Sequence, residues 1–161
     1  MVKLLVGIFI VLFTTYCGMI FSRKYKIRKS FFEDLYSFHF SVLEALSFSK
    51  RPFEEFYAKQ KYRNEFSELL QDEFNRRQKR KTLPLSLDEY TFLTIDEKGM
   101  IADYLCTIGS SDALSQKGYF SRAENVIQSL KNQSIDECKK YVDLYIKMGF
   151  LLGLALLIIL I

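Results

Sequence analysis

The residues of this chain that could carry chemistry are few, and their spacing argues against catalysis. The acidic pairs Glu54/Glu55, Asp72/Glu73 and Asp88/Glu89 are adjacent along the chain. On a helix such neighbours point about 100° apart, so they do not converge on one substrate and read as surface charges. His39, the single histidine, stands between Phe38 and Phe40 with no nucleophile to pair with. It reads as a packing or capping residue. The three cysteines, Cys17, Cys106 and Cys138, are too widely separated for a CxxC metal site or redox motif. In a reducing compartment Cys106 and Cys138 read as small core residues. No G-x-x-x-x-G-K, G-x-G-x-x-G or G-x-S-x-G string occurs, which removes phosphate cradles and hydrolase elbows from consideration. The expectation is a protein that is not an enzyme, with no catalytic residue, no metal site and no cofactor.

What remains is the chemistry of recognition. Arg23, Lys24, Lys26, Arg28 and Lys29 place five cations within seven residues, a density suited to anionic lipid headgroups. A second basic run, Arg76, Arg77, Lys79, Arg80 and Lys81, has no aromatic residue interleaved. It lacks the stacking platform of a nucleic-acid site and reads as a solvated helix end rather than a binding patch. Gly149 and Gly153 form G-x-x-x-G, followed by Ala155, in an apolar stretch, where small residues let another helix approach closely. Two sharp corners with polar tips, Arg51-Pro52 and Gly109-Ser110-Ser111-Asp112, suit either ordinary helix capping or the docking of a partner.

These groups must be held by elements whose outline is legible in the composition. Of the 161 residues, 49% are hydrophobic and 26% charged, enough for one modest core with attachments. Only 2 Pro and 7 Gly leave too few turns for a sandwich or barrel. Leu4 to Phe21 and Met148 to Ile161 contain no charge at all. The first run, at about 1.5 Å per residue, matches the roughly 30 Å of bilayer hydrocarbon and predicts a spanning helix over residues 1–22. A cleaved signal peptide fits less well, because the apolar run is long and no small-residue cleavage site follows. A lipoprotein signal ending at Cys17 would want a small residue where Tyr16 stands. The second run is shorter, about 21 Å as a helix, and reads as a membrane segment over 148–161, completed toward Leu144 if Lys147 snorkels.

The basic collar at 23–29 places that side of the membrane in the cytoplasm by the positive-inside rule. The cytoplasmic domain is then 30–147, with both termini on the far side. Six of the 23 Lys and Arg lie at or before Lys29, leaving 17 against all 19 Asp and Glu. The excess positive charge therefore belongs to the collar, which points to membrane lipids and away from nucleic acid.

Within 30–147 the apolar spacing is helical. Ser30 and Glu33 have capping-box spacing ahead of Phe32, Leu35, Tyr36, Phe38, Val42, Leu43 and Leu46. Pro52 suits the first turn of a short helix carrying Phe53, Phe56 and Tyr57. Tyr62, Phe66, Leu69, Leu70 and Phe74 mark a third helix, and Thr82 to Phe92 a connector with a short turn at Leu87 to Phe92. Thr94 and Glu97 form another capping box, opening a helix that runs through Ile108 and stops at Gly109. From Asp112 one long helix runs into the membrane segment, continuous or interrupted near Ser134. The fold class is all-α, a small helical bundle flanked by N-terminal and C-terminal transmembrane helices.

The Ile108-Gly109-Ser110-Ser111-Asp112 turn with Gln116 one helical turn on, and the terminal Met148-Gly149-Phe150-Leu151-Leu152-Gly153-Leu154, resemble the stage III sporulation protein AB family. Gly109, Ser111, Asp112 and Gln116 match the family's turn, with Ile108 in place of its leucine. Ser47 to Phe53 is similar to the family's earlier corner, with departures at Ser49, Arg51 and Phe53. The resemblance implies a structural platform subunit of the channel complex between mother cell and forespore, similar to inner-membrane platform proteins of type II secretion. It implies a place in the mother-cell membrane facing the forespore, with the bundle in the cytoplasm. It also implies a secretion-type ATPase and sister membrane subunits as partners, met at Arg51, Pro52, Gly109, Ser111, Asp112 and Gln116. A homo-oligomer stays open, as do a membrane adaptor of another secretion or cell-division assembly and a secreted helical lipoprotein.

Overall fold

The computed structural model describes residues 2–48, 62–78, 86–108 and 113–160. These form four α-helices, α1 (Val2–Phe48), α2 (Asn64–Gln78), α3 (Ile95–Thr107) and α4 (Ala113–Leu160), with no strand among the described residues. The all-α expectation holds. Two compact units divide the chain, Ser30–Asn132 and the pair Met1–Lys29 with Gln133–Ile161. The long helices α1 and α4 each contribute to both.

The unit Ser30–Asn132 is a bundle around aromatic side chains. Phe31, Phe32, Leu35 and Phe38 of α1 meet Phe66 and Leu69 of α2, Ile101, Tyr104 and Leu105 of α3, and Phe120 and Ile127 of α4, all essentially inaccessible to water. Phe31 and Phe38 both pack edge-on against Phe66, with centroids 5.3 and 5.7 Å apart. Each such ring contributes about 1.5–3 kcal/mol through its burial. The Thr94/Glu97 capping box forms as expected. Glu97 N–H donates to Thr94 Oγ1 at 3.3 Å and Thr94 N–H donates to the Glu97 carboxylate at 2.9 Å. Ahead of it, the single turn expected near Leu87 to Phe92 closes through Tyr90 N–H to Leu87 O at 3.1 Å.

The spacing of Ser30 and Glu33 does not mark a helix start. Both lie inside α1, which runs unbroken from the apolar stretch through the collar. No Pro or Gly separates Phe21 from Ser30, and Lys and Arg are good helix formers, so nothing makes the chain leave the helix where a cap would be needed. Ser30 and Glu33 instead receive Arg63. Its Nη2 donates to Ser30 O at 3.3 Å and to Glu33 Oε2 at 3.0 Å, and its backbone N–H donates to Asp34 Oδ2 at 2.9 Å. The short helix expected after Pro52 lies outside the described residues. α4 is continuous through Ser134, which is buried.

The other unit is a helical hairpin. Gly7 meets Leu157, Val11 and Thr14 meet Gly153, Thr14 also meets Gly149, and Gly18 meets Tyr145, a steady antiparallel register. A Cβ added at Gly18 would stand 2.5 Å from the Tyr145 carbonyl oxygen, and one at Gly149 2.6 Å from that of Thr14. Only glycine permits backbones this close. The expected helix partner of Gly149 and Gly153 is thus the chain's own N-terminal helix. Thr14, Thr15 and Ser22 donate their hydroxyls to carbonyls one turn back, at Ile10 (3.0 Å), Val11 (2.7 Å) and Met19 (2.7 Å), which satisfies these three hydroxyls within their own helix. Both helices carry stretches long and apolar enough to cross a membrane, within Val6–Glu44 and Gly118–Ile159. Residues 133–147, expected with the bundle, cluster with this hairpin instead. Their contacts there include Glu137 with Arg28, and Tyr141 and Tyr145 with Tyr25.

A Cβ at position 7 would lie 3.9 Å from that of Leu157, within the usual disulfide range. The variant Gly7→Cys/Leu157→Cys, with the native cysteines changed to Ser, should form an intramolecular disulfide on oxidation in membranes. It should run as a faster monomer on a non-reducing gel. A dimeric product alone would show that the glycine seam joins separate copies.

Candidate functional site

The site that sequence reading singled out most sharply is the turn after α3. Gly109, Ser111 and Asp112 lie outside the described residues, as do Arg51 and Pro52 of the other corner. Gln116 falls in the first turns of α4. What the structure does describe is the end of α3 just before these residues, and it is held firmly. Ile108 is the C-cap, with its N–H donating to Leu105 O at 3.2 Å. Arg77 of α2 donates from Nη2 to that same Leu105 carbonyl and from Nη1 to Ile108 O at 2.8 Å. A guanidinium at this place satisfies carbonyls that the ending helix leaves open and meets the negative end of its dipole.

Arg77 is itself held by Glu73, whose side chain is fully inaccessible to solvent. Arg77 Nε donates to Glu73 Oε1 at 2.7 Å and Arg76 Nε donates to Oε2 at 2.8 Å. Burial alone would raise the Glu73 carboxyl, but the hydrogen bonds and charges of Arg76 and Arg77 outweigh it and hold the group below the usual carboxylate range. Arg76 and Arg77 were expected at a solvated helix end. Instead they form a clamp between α2 and the end of α3, while Lys79, Arg80 and Lys81 lie outside the described residues. The sequence signal was available in principle, since Glu73 sits three and four residues before the two arginines, the spacing of facing helical pairs.

Beside the same helix end, α3 and α4 leave a hollow of about 310 Å³ lined by Met100, Tyr104, Tyr119, Arg122, Ala123 and Val126. Beneath it lies His39, fully buried, its Nδ1 2.9 Å from the Tyr104 hydroxyl and its ring near Phe120. Burial lowers its pKa and the Glu124 charge partly offsets this. Its Nε2 has no hydrogen-bond partner. The packing role expected of His39 matches this position. Among the described residues no group of three or more His, Cys, Asp or Glu could hold a metal.

The collar divides in two. Arg23, Lys24 and Lys26 are exposed, as contact with headgroups requires. Arg28 is buried and donates from Nε to Glu137 Oε2 at 3.1 Å, so it joins α1 to α4 instead of facing lipid. Lys29 is half-buried at the edge of this set. Lys139 and Lys140 of α4 are exposed on the same stretch of the hairpin, a contribution sequence reading missed because the residues are more than a hundred positions away.

The family model for stage III sporulation protein AB matches residues 3–161, nearly the whole chain. Comparisons with curated proteins and with solved structures returned no match.

Replacing Glu73 by Ala leaves two guanidinium groups without their counter-charge and should cost about 2–3 kcal/mol in thermal unfolding followed by circular dichroism. A carboxyl lowered on folding stabilises above its ordinary value, near 4.5, and that contribution is lost as pH falls through the lower native value. The wild-type chain should therefore lose stability below this range, and Glu73→Ala should lack that part of the acid limb. Equal stability of the two proteins at neutral pH would remove the clamp from the account.

Proposed function

The chain belongs to the stage III sporulation protein AB family, and from that membership we propose that it is a structural platform subunit of the channel complex between mother cell and forespore. The observation that carries this reading is the family match over residues 3–161, which fixes a role in stage III of sporulation. The finer reading places the helical bundle on the cytoplasmic face of the mother-cell membrane, where it docks a secretion-type ATPase beside sister membrane subunits. The docking surface would be the turn Gly109-Ser110-Ser111-Asp112 with Gln116. Two features support that choice. The Glu73–Arg77 clamp fixes the last carbonyls of α3 immediately before the turn, so a partner would meet a helix end that is already ordered. The apolar hollow between α3 and α4 offers a place for a partner's side chain beside it.

The mechanism of such a platform is mechanical rather than catalytic. The bundle receives the ATPase, and helices held through a close backbone seam hand the load to membrane partners. The seam also bears on the lipoprotein alternative. Cleavage before Cys17 would remove Gly7, Val11 and Thr14, which meet Leu157, Gly153 and Gly149, and would leave α4's glycines facing nothing.

Two measurements test this reading. Asp112→Ala/Gln116→Ala in the full chain should lower recovery of the secretion-type ATPase in co-purification by roughly tenfold, with the helical circular dichroism spectrum unchanged. Recovery equal to wild type would overturn the docking surface. Cys106, expected in the core, is instead exposed on α3 and reports the side of the membrane. With Cys17 and Cys138 changed to Ser, a membrane-impermeant maleimide should label Cys106 only after cells are permeabilised. Labelling in intact cells would place the bundle outside and end the platform reading.

A further inference from the structure

His39 is fully buried, its ring centre 5.7 Å from that of Tyr104 and 6.3 Å from that of Phe120. Tyr104 and Phe120 also meet each other edge-on at 5.2 Å, so α1, α3 and α4 each bring one ring to this point. A single hydrogen bond reaches the imidazole among the described residues, between Nδ1 and the Tyr104 hydroxyl at 2.9 Å. Nε2 is sealed from solvent and meets no donor or acceptor of the protein. In either neutral tautomer one polar atom of the ring is thus left unpaired. Such a group in a core is costly and calls for a reason beyond packing.

Polar ties to the neighbouring helices are missing from this part of α4. Among the described residues, 118–130 make no hydrogen bond or ion pair to another helix, and the side-chain bond of Arg122, to Gly118 O at 3.2 Å, stays within α4. The first polar contact with another helix comes at Lys131, whose ammonium lies over the Tyr36 ring at 3.9 Å. The start of α2, by contrast, is tied to α1 through Arg63, and its end to α3 through Arg77. The first described turns of α4 rest on the burial of apolar side chains, Phe120 and Ile127 above all, beside the hollow between α3 and α4. A charge appearing among the three rings would therefore act on a stretch that depends on apolar fit, with little else resisting its opening.

Two titratable groups act on the ring, Tyr104 on α3 through its hydrogen bond and Glu124 on α4 through its charge, and α1 and α2 supply none among the described residues. Burial lowers the His39 pKa and outweighs Glu124, so protonation favours any state in which the ring reaches water. Below the ordinary histidine value of 6.5 the closed bundle binds fewer protons than such a state, and the closed form loses stability as pH falls from there to the lower native value. This window opens above the range in which Glu73 acts, near 4.5 and below. We propose that His39 is a proton-sensitive latch: neutral, it seats Phe120 and the first described turns of α4 against α1 and α3, and protonated, it frees them while the other helices stay packed. The latch is a property of the bundle itself and is independent of which partner the bundle meets.

The test uses the untagged full chain in a mild detergent, between about pH 7.5 and about pH 5.5. His39 is the only histidine, so its imidazole signal in NMR is unambiguous, and it should titrate below 6.5. Hydrogen exchange read by mass spectrometry, corrected for the intrinsic effect of pH, should show protection of 118–130 falling by up to about tenfold per pH unit, while 64–78 and 95–107 keep theirs. In His39→Phe, which keeps a ring in place and cannot titrate, protection of 118–130 should not vary with pH over this range. Titration at 6.5 or above, protection of 118–130 that is flat with pH, or the wild-type dependence retained in His39→Phe would each overturn the latch. Loss of protection in all four helices together would show global unfolding and overturn it equally. Should His39→Phe fail to fold, the titration and exchange of the wild-type chain decide by themselves.

Discussion

The rest of the structure depends on where the apolar surface of the two terminal helices can go. Phe9 is 71% exposed, Phe13 60%, Ile158 74% and Ile159 81%, and this surface surrounds the hairpin instead of forming one stripe. No second layer of the chain covers it among the described residues. A helix apolar on all sides is stable only in a larger core or in hydrocarbon, so the bilayer is the missing solvent. In that solvent the hydrophobic effect no longer drives the helices together. Contact must come from packing, and the glycines at 18, 149 and 153 supply it by letting backbone lie against backbone, while Gly7 takes the Leu157 side chain.

The same constraint explains why polar anchoring is concentrated just beyond the apolar runs. Arg28 and Glu137 join the two helices at the end of the hairpin, and the Tyr25–Tyr141 stack lies one turn nearer the membrane. Neither contact would be secure within hydrocarbon, where an imperfectly paired charge is expensive, nor strong when fully exposed to water. Placing a buried guanidinium on a half-buried carboxylate at the border uses the one region where both costs are moderate. The hairpin is therefore set by steric fit inside the membrane and by polar contacts at its edge.

What could be read in the sequence follows the range of each interaction. The Thr94/Glu97 box was legible because its two hydrogen bonds lie within four residues and the preceding chain leaves the helix there. Ser30 and Glu33 have identical spacing but stand mid-helix, since the local pattern says nothing of the residues before it. The all-α class and both apolar helices were legible from period and composition. Gly149 and Gly153 were legible as a contact surface, yet not their partner, because G-x-x-x-G describes one side of a seam. Arg28, Arg63 and Arg77 were invisible as structural residues for the same reason. Each meets a carboxylate or carbonyl that only the fold brings near, except Glu73, whose helical spacing to Arg76 and Arg77 was present and was outweighed by the look of a basic run. Of the expected docking residues, only Gln116 can be placed on an element at all.

Three arginines each tie one segment of the chain to another through a carboxylate or carbonyl at close range, and their type has a physical cause. Arg28 reaches Glu137, Arg63 reaches Asp34, and Arg77 bridges Glu73 to Leu105 and Ile108. A planar fork with several fixed donors can satisfy two acceptors at once and loses less on leaving water than an ammonium does. The lysines of the hairpin border, Lys24, Lys26, Lys139 and Lys140, stay exposed, where a strongly hydrated point charge on a flexible stem costs little and can follow a mobile anion. Exchanging the two types would weaken both roles, since lysine at position 77 could not span Glu73 and two carbonyls, and arginine at position 24 would tend to find a fixed acceptor within the protein. Net charge alone, near −2 beyond the collar, hides this division.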